Sequence, residues 1–213
     1  MHTNSVAPPF NDPAQQRHAA TLGMWIFLAT EVLFFGGLFL AYTVYRSTYE
    51  AGFAAGSNHT LLALGTTNTA LLLLSSFTMA LAVRAAALRR LPHVAAFLAI
   101  TAVLGATFLA IKGFEYRQEI REGLLPGKYF AYTGPHAKAV ELFFLLYFLM
   151  TGVHALHVAI GVLLLAWFTL RTVWQAPGER FATAVDLLGL YWHFVDVIWV
   201  FLFPLIYLLG RST

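Results

Sequence analysis

Hydrophobic residues in this chain gather into five long blocks, at about 22–45, 61–83, 92–111, 139–170 and 184–209, separated by short polar stretches. Each block reaches the roughly 20 residues that a helix needs to cross a bilayer. None shows the short strict alternation of a barrel strand, and helices and closed barrels are the backbone arrangements that satisfy their own hydrogen bonds in hydrocarbon. The pattern therefore predicts an all-α integral membrane bundle of five transmembrane helices. With their flanks these are expected at about 22–45, 61–88, 92–116, 137–171 and 182–210, forming one five-helix domain over residues 21–213 behind a polar tail at 1–20.

The connections are read from their breakers and charges. The tail, with Pro8, Pro9 and Pro13, is expected to be disordered or to lie on the membrane surface. The first apolar block is too long for a signal-peptide core and has no small-residue cleavage site after it, so it is expected to be retained. Residues 46–60 read as a loop, and the next connection, Arg84 to His93, carries Arg84, Arg89 and Arg90 without an acid. Pro92 suits the first turn of the third span. The third connection, about 112–138, mixes Lys112, Glu115, Arg117, Glu119, Arg121, Glu122, Lys128 and Lys138, and its first part is expected to prolong the third helix beyond the membrane. Pro177 and Gly178 break the fourth connection. There is no internal repeat.

Composition narrows the function. Of 213 residues 59% are hydrophobic and 11% charged, well under the ~25% charged share of soluble domains. The net charge of +3 is spread over loop ends, which gives no case for a nucleic-acid partner. Without cysteine there is no disulfide, iron–sulfur cluster or thiolate metal site, so a metal would need histidine or carboxylate. The tail side collects Arg17, Arg84, Arg89, Arg90, Arg171 and Arg180; the other side collects Arg46, Lys112, Arg117, Arg121, Lys128, Lys138 and Arg211. The totals nearly balance, and the short all-arginine connection, which weighs most, favours a cytoplasmic amino terminus and an outside carboxyl terminus.

Polar groups inside the apolar blocks are the candidates for chemistry. Glu31 lies in the middle of "WIFLATEVLFFGG". A carboxylate at a helix centre costs about 2.5–3.5 kcal/mol on the insertion scale, so Glu31 should face protein or water rather than lipid. Two readings remain open for it: a neutral acid hydrogen-bonded to a neighbouring helix, or a proton-exchanging group. His154 and His157 stand three apart in "TGVHALHVAIG", as do His193 and Asp196 in "LYWHFVDVIW". Histidines on two helices invite a haem, but neither a zincin pair nor a repeated glutamate–histidine di-iron motif is present, and a hydrogen-bonded interhelical polar network is the expected arrangement. Asp186 fits the start of the last helix, where an acid complements the dipole. Gly36, Gly37, Gly152 and Gly161 are expected to permit close helix approach, and Pro204 to bend the last helix. Trp25, Trp167 and Trp174 suit interfacial belts, whereas Trp192 and Trp199 lie too deep and should pack against protein.

The stretches "WIFLATEVLFFGGLFLAY", "KGFEY", "FFLLYFLMTGVHALHVAIG" and "LYWHFVDVIWVFLFPLIYLL", in this order, closely resemble subunit III of the haem–copper respiratory oxidases. The resemblance covers most of residues 22–210. It implies an accessory subunit of the cell's inner (plasma) membrane with no redox centre of its own, packed beside catalytic subunit I and subunit II, whose haem and copper carry out oxygen reduction and proton pumping. It identifies Glu31 with the family's carbodiimide-reactive buried carboxylate. It also makes His154, His157, His193 and Asp196 the family's intramembrane polar positions and Glu115 its helix-three exit position. The described family roles are to sustain proton uptake, to protect the catalytic subunit during turnover and to hold membrane lipids, including bound phospholipid. Longer members have seven spans, and the two missing here help to form the lipid cleft. Shorter members occur in cytochrome c oxidases, in quinol oxidases and beside nitric oxide reductase. The independent alternative is a haem-carrying membrane cytochrome using His154 and His193.

Overall fold

A computed structural model describes residue 10 and residues 12–174 and 181–209. The described residues form helices and no strands: α1 (Pro13–Thr48), α2 (Glu50–His59), α3 (Leu62–Ala87), α4 (Leu91–Arg121), α5 (Ala137–Trp174) and α6 (Phe181–Phe203), the last running into a π-helical turn (Pro204–Leu208). Five of the helices are long and apolar enough to cross a membrane. The protein is thus a multi-pass, all-α membrane bundle. The breaker pair Pro177 and Gly178 lies outside the described residues.

Two connections differ from the sequence reading. The first helix starts at Pro13, within the stretch read as tail, because Asp12 caps it: its carboxylate accepts from the Gln15 backbone N–H at 2.7 Å. Residues 46–60 are not an open loop, since Glu50–His59 is helical. The glycines of "EAGFAAGSNH" that suggest a loop are a packing surface. Gly52 meets Ala139 of α5, and a Cβ on Gly56 would stand 2.5 Å from Phe143 Cδ1. Glycines four apart let the α2 backbone lie flat on α5.

The core is built from α3, α4, α5 and α6, with α3 along α4 and α4 along α5, while α6 closes against α3 and α5. Trp192, fully buried, holds this packing together. Its indole fills notches at Gly105 of α4 and Gly161 of α5, where an added Cβ would lie 2.6 and 2.7 Å from the ring, and its Nε1–H donates to Ser75 Oγ of α3 at 3.0 Å. Trp199 is buried as well, and its Nε1–H donates to Thr69 Oγ1 of α3 at 3.0 Å. Gly161 therefore serves the close approach expected of it. Within this chain Gly36 and Gly37 do not, since a methyl on either would have nothing within 4 Å, and Gly152 meets only the Tyr116 hydroxyl at 3.8 Å. By contrast α1 is loosely held, with 11% of its most apolar stretch buried against 56% for the last span.

Two helix ends share one closure. After α4, Leu124 N–H donates to Glu119 O and Gly123 N–H to Ile120 O, with Gly123 at φ 72°. After α3, Arg90 N–H donates to Ala85 O and Arg89 N–H to Ala86 O, but the left-handed position, φ 55°, is held by Arg89. At the chain's other end Pro204 lacks the N–H that would continue the α-ladder, and the backbone widens into the π-turn. Its carbonyls are taken by side chains: Tyr42 Oη–H donates to Leu205 O at 2.8 Å, Ser57 Oγ–H to Ile206 O at 2.8 Å and Arg46 Nη2–H to Leu209 O at 2.6 Å. The last turn is fastened to α1 and α2 through its own irregularity.

Candidate functional site

Glu31 faces protein. Its Oε2 lies 3.2 Å from His157 Nε2, which ties α1 to α5, and the two side chains are 19% and 15% exposed. The ring's other nitrogen settles how protons are arranged. His157 Nδ1 is 2.9 Å from Val153 O, and a carbonyl only accepts, so Nδ1 carries a hydrogen. A neutral His157 then presents a bare Nε2 and Glu31 must donate to it; a charged His157 donates to an ionised Glu31. In both arrangements one proton lies between Oε2 and Nε2. Tyr191 of α6 donates to His157 O at 2.9 Å, and Phe35 meets the imidazole edge-on at 5.4 Å between centroids.

The other expected polar positions do not join this pair in one network. His154, three residues before His157 and so about 60° around the helix, turns inward. It is buried between Trp199 at 5.2 Å and Phe108 at 5.6 Å, and neither ring nitrogen has a hydrogen-bond partner. His193 turns to α3, where Nδ1 lies 2.7 Å from Ser76 Oγ. Asp196 is buried beside the same Ser76, with neither carboxylate oxygen in a hydrogen bond of good geometry. Haem ligation by His154 and His193 does not fit these placements, because the first is enclosed by aromatic rings and the second is engaged with α3. Among the described residues no group of three or more histidine or acidic side chains is placed to hold a metal.

Glu115 sits at the centre of an ionic cluster that the sequence reading assigned to a connection. Lys112 Nζ–H donates to Glu115 Oε2 at 2.9 Å, to Tyr147 Oη of α5 at 3.0 Å and to Tyr207 Oη of the π-turn at 3.0 Å. Tyr207 Oη–H in turn donates to Glu115 Oε1 at 2.6 Å. The ammonium lies 4.8–5.6 Å from the ring centres of Tyr116, Tyr147, Trp199 and Tyr207. Lys112, Glu115 and Glu119 are all buried, at 2%, 0% and 3% exposure. Counting Lys112 among the loop cations was thus wrong. It is an interior counter-charge, and without it the two sides carry six cations each, the seven on the far side having lost one. The signal was present in the sequence: positions 112, 115 and 119 recur at three and four residues and share one face of α4.

Comparison with known proteins agrees with the fold. The family model described as cytochrome c oxidase subunit III matches residues 12–211. The cytochrome c oxidase subunit 3 of Thermostichus vulcanus is 35% identical over 89% of this chain and 87% of its own length. The cytochrome bo(3) ubiquinol oxidase subunit 3 of Pseudomonas putida is 31% identical over 89% of this chain and 85% of its own. The quinol oxidase subunit 3 of Bacillus subtilis is 30% identical over 98% of this chain and 96% of its own. The five spans and a family match over nearly all of the chain lead to one conclusion: this chain belongs to the cytochrome c oxidase subunit III family of the haem–copper oxidases.

Proposed function

We propose that the chain is a non-redox accessory subunit that packs against subunits I and II of a terminal oxidase in the cell's plasma membrane, with its amino terminus in the cytoplasm. Haem and copper belong to those partners. Its task is to sustain proton uptake and the stability of the oxygen-reducing subunit, with phospholipid held along its apolar faces. The supporting observation is the Glu31–His157 pair, which keeps one proton between two groups at the edge of the bundle. Such a pair holds that proton in either of two arrangements, Glu–COOH with neutral imidazole or carboxylate with imidazolium, and moves it between Oε2 and Nε2 without breaking either helix.

The test is extraction of a tagged chain in mild detergent, followed by identification of what comes with it. Haem-bearing subunits I and II should co-purify, and the chain expressed alone should show no Soret band. A haem spectrum from the isolated chain, or isolation without any haem-bearing partner, rejects the proposal. Relatives named for cytochrome c oxidase and for quinol oxidase both align along the chain, so the donor follows from the co-purified subunits.

A further inference from the structure

The joint between α4, α5 and the π-turn contains two buried carboxyl groups and one cation. Lys112 has three N–H donors, and Glu115, Tyr147 and Tyr207 take all of them. The Tyr207 hydroxyl proton is committed to Glu115. The Thr151 hydroxyl donates to Tyr147 O at 2.6 Å, so the Tyr116 hydroxyl, bonded to Thr151 Oγ1, must supply the proton of that contact. One hydroxyl proton remains, that of Tyr147, which lies beside both Glu119 and the Tyr207 hydroxyl. Both Glu119 oxygens are shut off from solvent and make no hydrogen bond of good geometry.

An ionised carboxylate offers about four acceptor sites, and leaving it buried without donors costs several kcal/mol. Here the nearest cation is already shared, and Glu115 stands one helical turn away with like charge, a destabilising spacing for two anions. With both acids ionised the joint would hold a net charge of −1 in a low-dielectric interior. We infer that Glu119 is a proton-binding site separate from Glu31: it takes one proton from water at the carboxyl end of α4 and sits neutral beside the Lys112–Glu115 ion pair. The way in is short. Glu119 lies two residues before the helix ends at Arg121, and its neighbours Arg117, Ile120, Arg121 and Glu122 are exposed. Glu122, the other acid at this end, is engaged with Gln118 Nε2 at 3.1 Å on the outer side. The ion pair and the neutral acid together leave the joint uncharged, which lets three helical elements meet there.

The test compares two isosteric changes in the tagged chain, purified with whatever partners remain bound. Glu119→Gln replaces a neutral acid by its neutral amide and should be recovered in the parent's yield. Glu115→Gln removes the carboxylate that accepts from both Lys112 and Tyr207, leaves Glu119 as the one remaining acid for Lys112, and should be recovered in lower yield. The infrared difference between parent and Glu119→Gln should then show loss of one protonated-carboxyl C=O band that shifts in heavy water. Loss of ionised-carboxylate bands instead overturns the inference, as does failure of Glu119→Gln to accumulate, since a neutral acid tolerates its own isostere. None of these readouts requires oxidase activity, so they stand apart from the test of the accessory role.

Discussion

Single side chains carry most of what distinguishes this bundle from five generic apolar helices. Because His157 Nδ1–H is fixed on Val153 O, the Glu31 side must supply a donor whenever the ring is neutral. Glu31→Gln meets that need with its amide N–H, so assembly with haem-bearing partners should be unchanged. Labelling by a hydrophobic carbodiimide at this position should disappear, read by peptide mass spectrometry, and oxygen consumption should fall only partly. Unchanged labelling would remove Glu31 as the reactive acid; complete loss of turnover at normal haem content would argue against an accessory role. Packing gives a second contrast. Gly105→Ala drives a methyl against Trp192 and against Val162 Cγ2 at 2.8 Å, and should cost about 1–3 kcal/mol. Gly36→Ala meets nothing within 4 Å and should be neutral or stabilise by up to about 1 kcal/mol through helix propensity. Thermal unfolding in detergent separates the two.

At the scale of whole elements, the two matching helix ends invite a direct exchange. Arg89 holds a left-handed conformation that Gly123 holds without cost, and that conformation costs a side-chain-bearing residue about 1–2 kcal/mol. Arg89→Gly should recover about 1 kcal/mol in the same unfolding measurement, while Gly123→Ala, whose methyl would also meet Ala131 Cβ at 2.7 Å, should lose at least as much. The π-turn makes the opposite kind of prediction. Tyr42→Phe leaves Leu205 O without its donor, which costs about 1–3 kcal/mol for a buried group, and should loosen α1 from the last turn before the core opens. Faster amide exchange confined to α1 and residues 204–209 is the expected signature.

For the whole molecule, the five spans were readable because length and apolar content fix a membrane helix almost without tertiary information. What stayed hidden depended on neighbours. α2 reads as a loop because Gly52 and Gly56 are poor helix formers in isolation, and only the face of α5 shows why they are there. Lys112 looks like a loop cation because charged residues follow it, and only Tyr147 and Tyr207, distant in sequence, reveal a cage around it. His154 and His157 look like one site by spacing, yet a turn of about 60° hands one to aromatic rings and the other to α1. Glu31 was legible as a group facing protein, since lipid is no place for it; its partner was not.

The capped start of α1 at Pro13 has a practical consequence for topology. A helix of 36 residues is about 54 Å long, against about 30 Å of hydrocarbon, so several turns must stand clear of the apolar layer or the helix must tilt strongly. The polar first turns, "PAQQRHAAT", are the part suited to stand clear, as a helical stalk. The chain has no cysteine, so His18→Cys would place a lone thiol on that stalk at an exposed position. A membrane-impermeant maleimide should then react in inverted vesicles and not in intact cells. The reverse pattern would turn the molecule over, putting the Glu119 end of α4 on the cytoplasmic side.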